Sequence, residues 1–457
     1  MKKGLLTITS IILLLFGWQL LALLIDLPDL FPSVPRLLQT LSGLFFSEKF
    51  YLSVGATLMR GITGMLLSFI TASGLAYLFS RNELIHELFR PLLAIMRSVP
   101  VISFILLALI FLNTESIPLI IGFLTMFPLL VENLTRGIRN QRNEWMIMAR
   151  QFRIGFLNKL TQIIYPQLKP FFYSGLSSAS GFGWRAIIMG EVLAQCNFGI
   201  GGEMKRAQTF IAVPELMAWT IVAVSISFFF DKGISWLSRQ TFPVKYNKRG
   251  ILPDHIESGN IRLTDLSFQY GSRMIFSHFN QTFKQGFTYG ITAPSGYGKT
   301  TLLNLIGGVL RPDKGEIQVE LSEGIATVFQ KPELLNHLTV WENIALPLAS
   351  MVNKETAHRQ SILFLNSMEL SESGNCYPQE LSFGQQQRIA IARALAYPSP
   401  ILLMDEPFKG LDEALMHRIA DYIRCRQAEN SQTILFSSHN PDELKRMANE
   451  IIHLKTD

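Results

Sequence analysis

The sequence predicts two folds in one chain: an α-helical membrane domain of about six transmembrane helices over residues 1–242, and an α/β domain built on a phosphate-binding loop over 260–457, with 243–259 as linker. Three observations predict this. Long uncharged apolar runs recur through the first half, strand-length apolar runs alternate with amphipathic patterns after Ile261, and Ala293-Pro294-Ser295-Gly296-Tyr297-Gly298-Lys299-Thr300 joins one such strand to an apolar helix. With 48% hydrophobic and 17% charged residues and a mean hydropathy of +0.26, the 457-residue chain is too apolar to be wholly soluble.

Six spans are expected at 4–25, 54–80, 92–112, 116–135, 170–195 and 214–238, each near the ~20 residues that cross a hydrocarbon core. Lys2-Lys3 before the first run could open a secretory signal. The uncharged stretch to Ile25 is longer than a signal's apolar core and no small-x-small cleavage site succeeds it, so a retained first helix is expected. Pro100, Pro118, Pro128 and the glycines at 175, 181, 183 and 190 interrupt the later spans.

Residues 1–242 hold 20 Lys+Arg against 12 Asp+Glu, so the basic excess sits between apolar runs and reads as a topology signal, not a nucleic-acid surface. Starting inside at Lys2-Lys3, six crossings place the loops at 81–90 and 136–169 and everything after 238 on the cytoplasmic side. Those segments carry most of the loop arginines and lysines. The three cysteines, Cys196, Cys376 and Cys425, are too scattered for a disulfide framework or a metal site and are expected to be free thiols.

Several charges fall in or near the spans: Arg60, Arg97, Glu132, Arg185, Glu191 and Asp231. Intramembrane charge points to a pathway or gate, whereas charge at a span end snorkels to water, the reading preferred for Glu132 and Asp231. Arg185 and Glu191 stand six positions apart and cannot pair on one helix face, so a partner must come from another span.

In the second half, Gly296, Gly298, Lys299 and Thr300 suit phosphate binding. Glycines let backbone N–H groups wrap the phosphates, the lysine meets the β/γ charge and the hydroxyl reaches Mg²⁺. Ala293 stands where the pattern has its first glycine. Its Cβ is awkward only if that position needs positive φ.

The motifs downstream of this loop resemble those of the nucleotide-binding domain of ABC transporters. Leu381-Ser382-Phe383-Gly384-Gln385 is similar to the LSGGQ signature, with phenylalanine for the first glycine. Ile401 to Pro407 looks like the Walker B strand with its glutamate, Leu411-Asp412 the end of the D-loop after a divergent Lys409-Gly410, Gln330 the Q-loop glutamine and His439 the switch histidine. Upstream, Tyr270 looks like the residue that stacks on adenine. The resemblance implies ATP and Mg²⁺ as cofactors, with Thr300, Gln330 and Asp405 at the metal and Glu406, His439 and Gln330 catalytic. Nucleotide contacts are implied for Tyr270, Pro294, Ser295, Gly296, Tyr297, Gly298, Lys299, Thr300 and Thr301, and for Ser382, Phe383, Gly384 and Gln385. In this superfamily ATP lies between one domain's phosphate loop and another's signature, so a homodimer with two ATP sites is expected.

Ala149-Arg150 with the later Ile163-Ile164-Tyr165-Pro166 resembles the cytoplasmic EAA loop of binding-protein-dependent permeases, in which a short helix docks on the ATPase. Ile147 holds the usual glutamate position and Arg153 the usual glycine position. Thr57-Leu58-x-Arg60, Arg97-Ser98-Val99-Pro100, Gly183-Trp184-Arg185, Glu191-Val192-Leu193 and Gly199-Ile200-Gly201 look like permeases of the nitrate/sulfonate/taurine type, a type I importer architecture. The resemblance implies a cytoplasmic (inner) membrane protein with its ATPase domain in the cytoplasm. It would import a small solute, such as nitrate, a sulfonate, taurine or a thiamine-pyrimidine precursor, from an extracytoplasmic solute-binding protein. Its partners would be that protein, a second copy of itself and the lipid membrane, with no nucleic acid. An exporter half-transporter, an ATP-gated channel and a membrane regulator remain alternatives on the sequence alone.

Overall fold

The structure, a computed structural model, describes residues 2–248, 250, 252, 260–294, 296–319 and 324–454. Ser295 and most of the expected linker lie outside the described residues. The chain divides into two compact units, one of Met1–Gln141 with Gln167–Thr241, the other of Arg142–Pro166 with Phe242–Asp457.

The first unit is helical: α1 (Lys2–Ile25), α2 (Val34–Phe45), α3 (Glu48–Arg81), α4 (Glu83–Ser98), α5 (Val101–Phe111) and α6 (Ile117–Arg139), then most of α9 (Tyr165–Ala194), α10 (Ile200–Thr209) and α11 (Val213–Leu237). Among the described residues, α3, α6 and α11 are long and apolar enough to cross a membrane. The expected span at 92–112 is instead two helices: α4 and α5 meet at 94°. Pro100 caps α5 and cannot donate to α4, while Val99 before it is extended, as a residue preceding proline prefers.

Close helix packing here depends on small residues. A Cβ at Gly61 of α3 would stand 2.2 Å from the Trp184 ring of α9, and one at Gly183 would stand 1.9 Å from Met126 of α6. Glycine lets these three backbones approach.

Buried charge is paired. Glu191 of α9 is fully buried and accepts from Arg60 Nη1 at 2.7 Å, from Thr57 Oγ1 at 2.9 Å, and from the Gly201 N–H at 2.9 Å. Arg60 also bridges to Glu115 and to the Phe198 carbonyl. An unpaired arginine at a bilayer centre costs about 2.5–3.5 kcal/mol on insertion scales, so this cluster offsets a penalty that would otherwise fall on folding. A Cβ at Gly199, where φ is +146°, would meet the Glu191 carboxylate at 2.6–2.7 Å, so glycine lets the loop close over it. Glu132 accepts from both Arg97 and Arg136.

The second unit opens with α7 (Asn143–Gln151), a single turn α8 (Phe156–Asn158) and a π-helical turn (Lys159–Ile164) that leads into α9. It continues as an α/β fold. The strands are β1 (Ile261–Tyr270), β2 (Arg273–Phe283), β3 (Thr288–Thr292), β4 (Lys314–Val319), β5 (Ala326–Val328), β6 (Ile401–Asp405), β7 (Thr433–Ser437) and β8 (Glu450–His453). The helices are α12 (Lys299–Ile306), α13 (Val340–Ala345), α14 (Lys354–Ser367), α15 (Phe383–Ala396), α16 (Glu413–Asn430) and α17 (Pro441–Met447).

A parallel sheet in the order β5-β6-β7-β3-β8 forms the core, and an antiparallel sheet β2-β1-β4 flanks it. β6 and β7 are buried along their whole length, as strands covered on both faces must be.

Candidate functional site

In a parallel sheet, ligands bind beyond the carboxyl ends of the strands. Here those ends carry the motif residues: β3 runs into the phosphate loop, β6 ends at Asp405-Glu406, β5 precedes Gln330 and β7 precedes His439. A cavity of about 360 Å³ is lined by Tyr270, Gly296, Gly298, Lys299, Thr300, Thr301, Gln330, Glu406 and His439. Ten motif positions spread from Tyr270 to His439, Asp405 among them, thus meet at one edge.

Gly296 and Gly298 take φ of +83° and +90°, which only glycine adopts without strain. Ala293 is buried against the sheet and is absent from the positive-φ positions, so its methyl is tolerated where the motif has glycine. Pro294 is exposed and Tyr297 packs on the apolar core; neither lines the cavity.

Lys299 Nζ lies 2.9 Å from the Ala293 carbonyl and 2.8 Å from His439 Nε2, and burial lowers its pKa against the pull of Glu406 and Asp405. A phosphate entering the loop would replace these contacts. Thr300 Oγ1 donates to Asp405 at 2.7 Å, and Ser437 Oγ donates to the other Asp405 oxygen at 2.6 Å. Threonine hydroxyl, aspartate carboxylate and the Gln330 amide oxygen form an all-oxygen donor set that fits Mg²⁺.

Glu406 has φ of +49°, a strained conformation for a side-chain-bearing residue, and its N–H is held by Ser437 Oγ at 3.0 Å. Its carboxylate accepts from Gln330 Nε2 at 3.2 Å and Lys409 Nζ at 3.5 Å and stands 3.5 Å from His439 Nε2. Burial pushes that carboxyl up, but the Gln330 bond and the Lys409 charge outweigh it and leave the pKa lowered.

Sequence reasoning missed Arg273, which lines the cavity and donates to the Gly296 carbonyl at 3.1 Å, and Ile275 beside it. It also missed Ser437, although that serine stands two positions before His439.

The signature residues lie elsewhere. Ser382 caps α15 through reciprocal bonds with Gln385, and Phe383 is exposed. Gly384 backs onto the Gly410 carbonyl, which a Cβ would meet at 2.6 Å. None of Ser382, Phe383, Gly384 or Gln385 lines the phosphate-loop cavity.

The segment 142–166 is built into the same unit. Trp145, Met148, Ala149, Phe152 and Ile163 are buried in one apolar core with Leu334, Val340, Ile344 and Tyr397. Arg142 pairs with buried Glu333 at 2.8 Å, and the Phe152 ring stands edge-on to Tyr397. Arg153 has φ of +45°, which accounts for the glycine usual at that position. Arg150 is exposed with no ion pair among the described residues; the docking contact falls on Arg142 and the apolar face instead.

Residues 276–409 match the ABC transporter family, and residues 61–239 match the binding-protein-dependent transport system inner membrane components. Over 210 residues the chain is 35% identical to a probable sulfate/thiosulfate import ATP-binding protein CysA of Chlorella vulgaris, covering 43% of this chain and 87% of that protein. It is 34% identical to the thiamine import ATP-binding protein ThiQ of Brucella abortus, covering 41% and 80%. With the sulfate/thiosulfate import ATP-binding protein CysA 1 of Shewanella oneidensis it shares 34% identity and spans 55% of that protein. A solved dimeric ATP-binding cassette in a post-hydrolysis state with ADP and phosphate is 31% identical over 43% of this chain and 94% of that one, with a TM-score of 0.40. The chain therefore belongs to the ABC transporters, as a fusion of an importer-type permease with its ATPase.

Proposed function

We propose that this chain hydrolyses ATP to import a small solute across the cytoplasmic membrane, working as a homodimer with an extracytoplasmic solute-binding protein. The observation that carries this reading is the docking segment: residues 142–166, whose neighbours in sequence are permease helices, complete the hydrophobic core of the ATPase unit. Docking couples the two activities, and the match of residues 61–239 to binding-protein-dependent permease components supports import as the direction.

In this reading ATP occupies the phosphate-loop cavity with its adenine on Tyr270. Pro294 and Tyr297 set the loop's course through their backbone; Ser295 lies outside the described residues. Thr300, Asp405 and Gln330 would hold Mg²⁺, which would supply positive charge against that developing on the γ-phosphate. Glu406 orients and polarises the attacking water, and His439 and Lys299 stabilise the transferring phosphoryl group. Ser382, Phe383, Gly384 and Gln385 complete the site of the second copy. Closure of two such sites turns the permeases outward, and hydrolysis resets them.

Solute accumulation in vesicles that requires both ATP and an added solute-binding protein is the expected result. ATP-driven efflux, or uptake indifferent to the binding protein, would overturn the import reading.

A further inference from the structure

Helix α4 turns 94° from α5, and among the described residues neither of the two alone is long and apolar enough to cross a membrane. Its 16 residues present three faces at helical spacing. Ile85, Phe89 and Leu93 pack into an apolar core with residues of α3 and α6. Leu84, Leu88, Leu92 and Ile95 form an exposed stripe, each at least 50% accessible. Glu83, His86, Glu87, Arg90 and Arg97 make the third face, which is charged and lines a cavity. A helix with an exposed apolar stripe and a charged face lies in the plane of a membrane interface, stripe toward the acyl chains.

The depth of α4 agrees with this. Glu83 near its start pairs with Arg139 at the end of α6 at 2.9 Å, and Arg97 near its end bonds to Glu132, about two turns earlier on α6. The helix therefore lies across the last turns of α6, just before the chain enters the ATPase unit at Arg142. At the end of α3, exposed Tyr77 carries Arg81 over its ring, a pairing that suits headgroup level on the cytoplasmic side.

The cavity between α4 and the ends of α3 and α6 has a volume of about 440 Å³. Its walls carry Arg90, Arg97, Arg136 and Arg139 against Glu83, Glu87 and Glu132, so with histidine neutral one positive charge is left over. The surplus is local. Arg97 and Arg136 both bond to Glu132, and two guanidiniums on one carboxylate keep spare donors and a net charge. An identical copy laid on this face would set like charge against like. A phosphodiester brings the one negative charge that is missing, with oxygens for both guanidinium forks.

We propose that α4 is an interfacial helix whose charged face, with the ends of α3 and α6, binds the phosphate headgroup of an anionic phospholipid of the cytoplasmic leaflet. The leucine stripe holds α4 at the depth of the lipid phosphates, and Arg97 and Arg136 grip the headgroup across Glu132. The bound lipid ties α4 to α6 over the cavity. This inference rests on the chain lying in a membrane and not on the direction of transport.

The test is binding of tritiated phosphatidylglycerol to the full chain in a neutral detergent, with zwitterionic phosphatidylcholine measured in parallel. Saturable binding of phosphatidylglycerol is expected, with phosphatidylcholine several-fold weaker. Arg97→Gln and Arg136→Gln should each weaken phosphatidylglycerol roughly fivefold, whereas Arg239→Gln, an exposed arginine after α11, should leave it unchanged. Glu132→Gln releases both guanidiniums and should strengthen binding a few-fold, a sign that mere loss of structure does not produce. A misfolded variant is recognised by its elution and nucleotide affinity, and the remaining variants still decide. Equal binding of the two lipids, an equal effect of Arg239→Gln, or weaker binding in Glu132→Gln overturns the assignment. So does displacement of the lipid by inorganic phosphate, which would make this a site for the free anion. Disulfide formation between two Leu88→Cys chains stripped of native cysteines, without bound lipid, would give the face to a second copy and overturn it too.

Discussion

Gln151 Nε2 donates to the Gly307 carbonyl at 3.4 Å, and the Gln151 carbonyl accepts from the Ile325 N–H at 3.1 Å. Gly307 closes the helix that begins at Lys299, and Ile325 enters the strand that leads to Gln330. One docking residue thus touches the helix that follows the phosphate loop and the strand that precedes Gln330. Gln151→Leu is expected to leave ATP binding intact while lowering solute taken up per ATP hydrolysed severalfold. Uptake and phosphate release measured in the same vesicles decide this; an unchanged ratio would assign coupling elsewhere.

Glu406→Gln keeps the Gln330 contact but loses the carboxylate. Hydrolysis should fall by about 10²–10⁴-fold, the usual range for a lost general base, with nucleotide affinity within a few-fold of wild type. Turnover near the original rate would remove Glu406 from the mechanism.

Truncating Glu191 leaves the mostly buried Arg60 with the Phe198 carbonyl and with Glu115 as its one carboxylate among the described residues. Glu191→Ala is expected to destabilise the membrane unit by about 3–5 kcal/mol, read as a lower Tm in detergent. Replacing Arg60 and Glu191 together by methionine should cost less than the sum of the single changes. Strict additivity would mean the two do not act as a pair.

Gly61→Ala places a methyl inside the Trp184 ring, with an overpacking penalty of about 1–3 kcal/mol. Adding Trp184→Leu in the same chain should restore part of the lost Tm. No rescue would show that the strain at Gly61 arises from something other than this ring.

Legibility tracked the strength of each local signal. The strand-length apolar runs expected from Ile261 onward form: β3, β5, β6 and β7 pair in parallel with nearly every residue buried and so are apolar along their length, while β1, in the antiparallel sheet, is only partly buried. β2, β4 and β8 went unseen, since residues such as Arg273, His278 and Lys314 face water and break the apolar pattern. The phosphate-loop cavity was legible because its chemistry dictates residue types. Arg273 and Ile275 were not, since an arginine and an isoleucine in a strand carry no mark of their neighbours. The partner of Glu191 was anticipated only as lying on another span. Arg60 stands 131 positions away, a distance that pattern cannot bridge. The docking segment was legible from Ala149-Arg150 and Ile163 to Pro166, but its buried face of Trp145, Met148 and Phe152 was not, since apolar residues in a short helix carry no mark of what covers them.

Because Trp145, Met148 and Phe152 belong to the ATPase core yet precede that domain in the chain, they leave the ribosome well before the strands that will cover them. During synthesis the nascent permease must carry an uncovered greasy helix at the membrane surface until Tyr397 and its neighbours arrive. Biogenesis of this transporter therefore has an obligatory order: the loop waits, the ATPase condenses around it, and a chain cut short before α15 exposes a sticky flag for quality control.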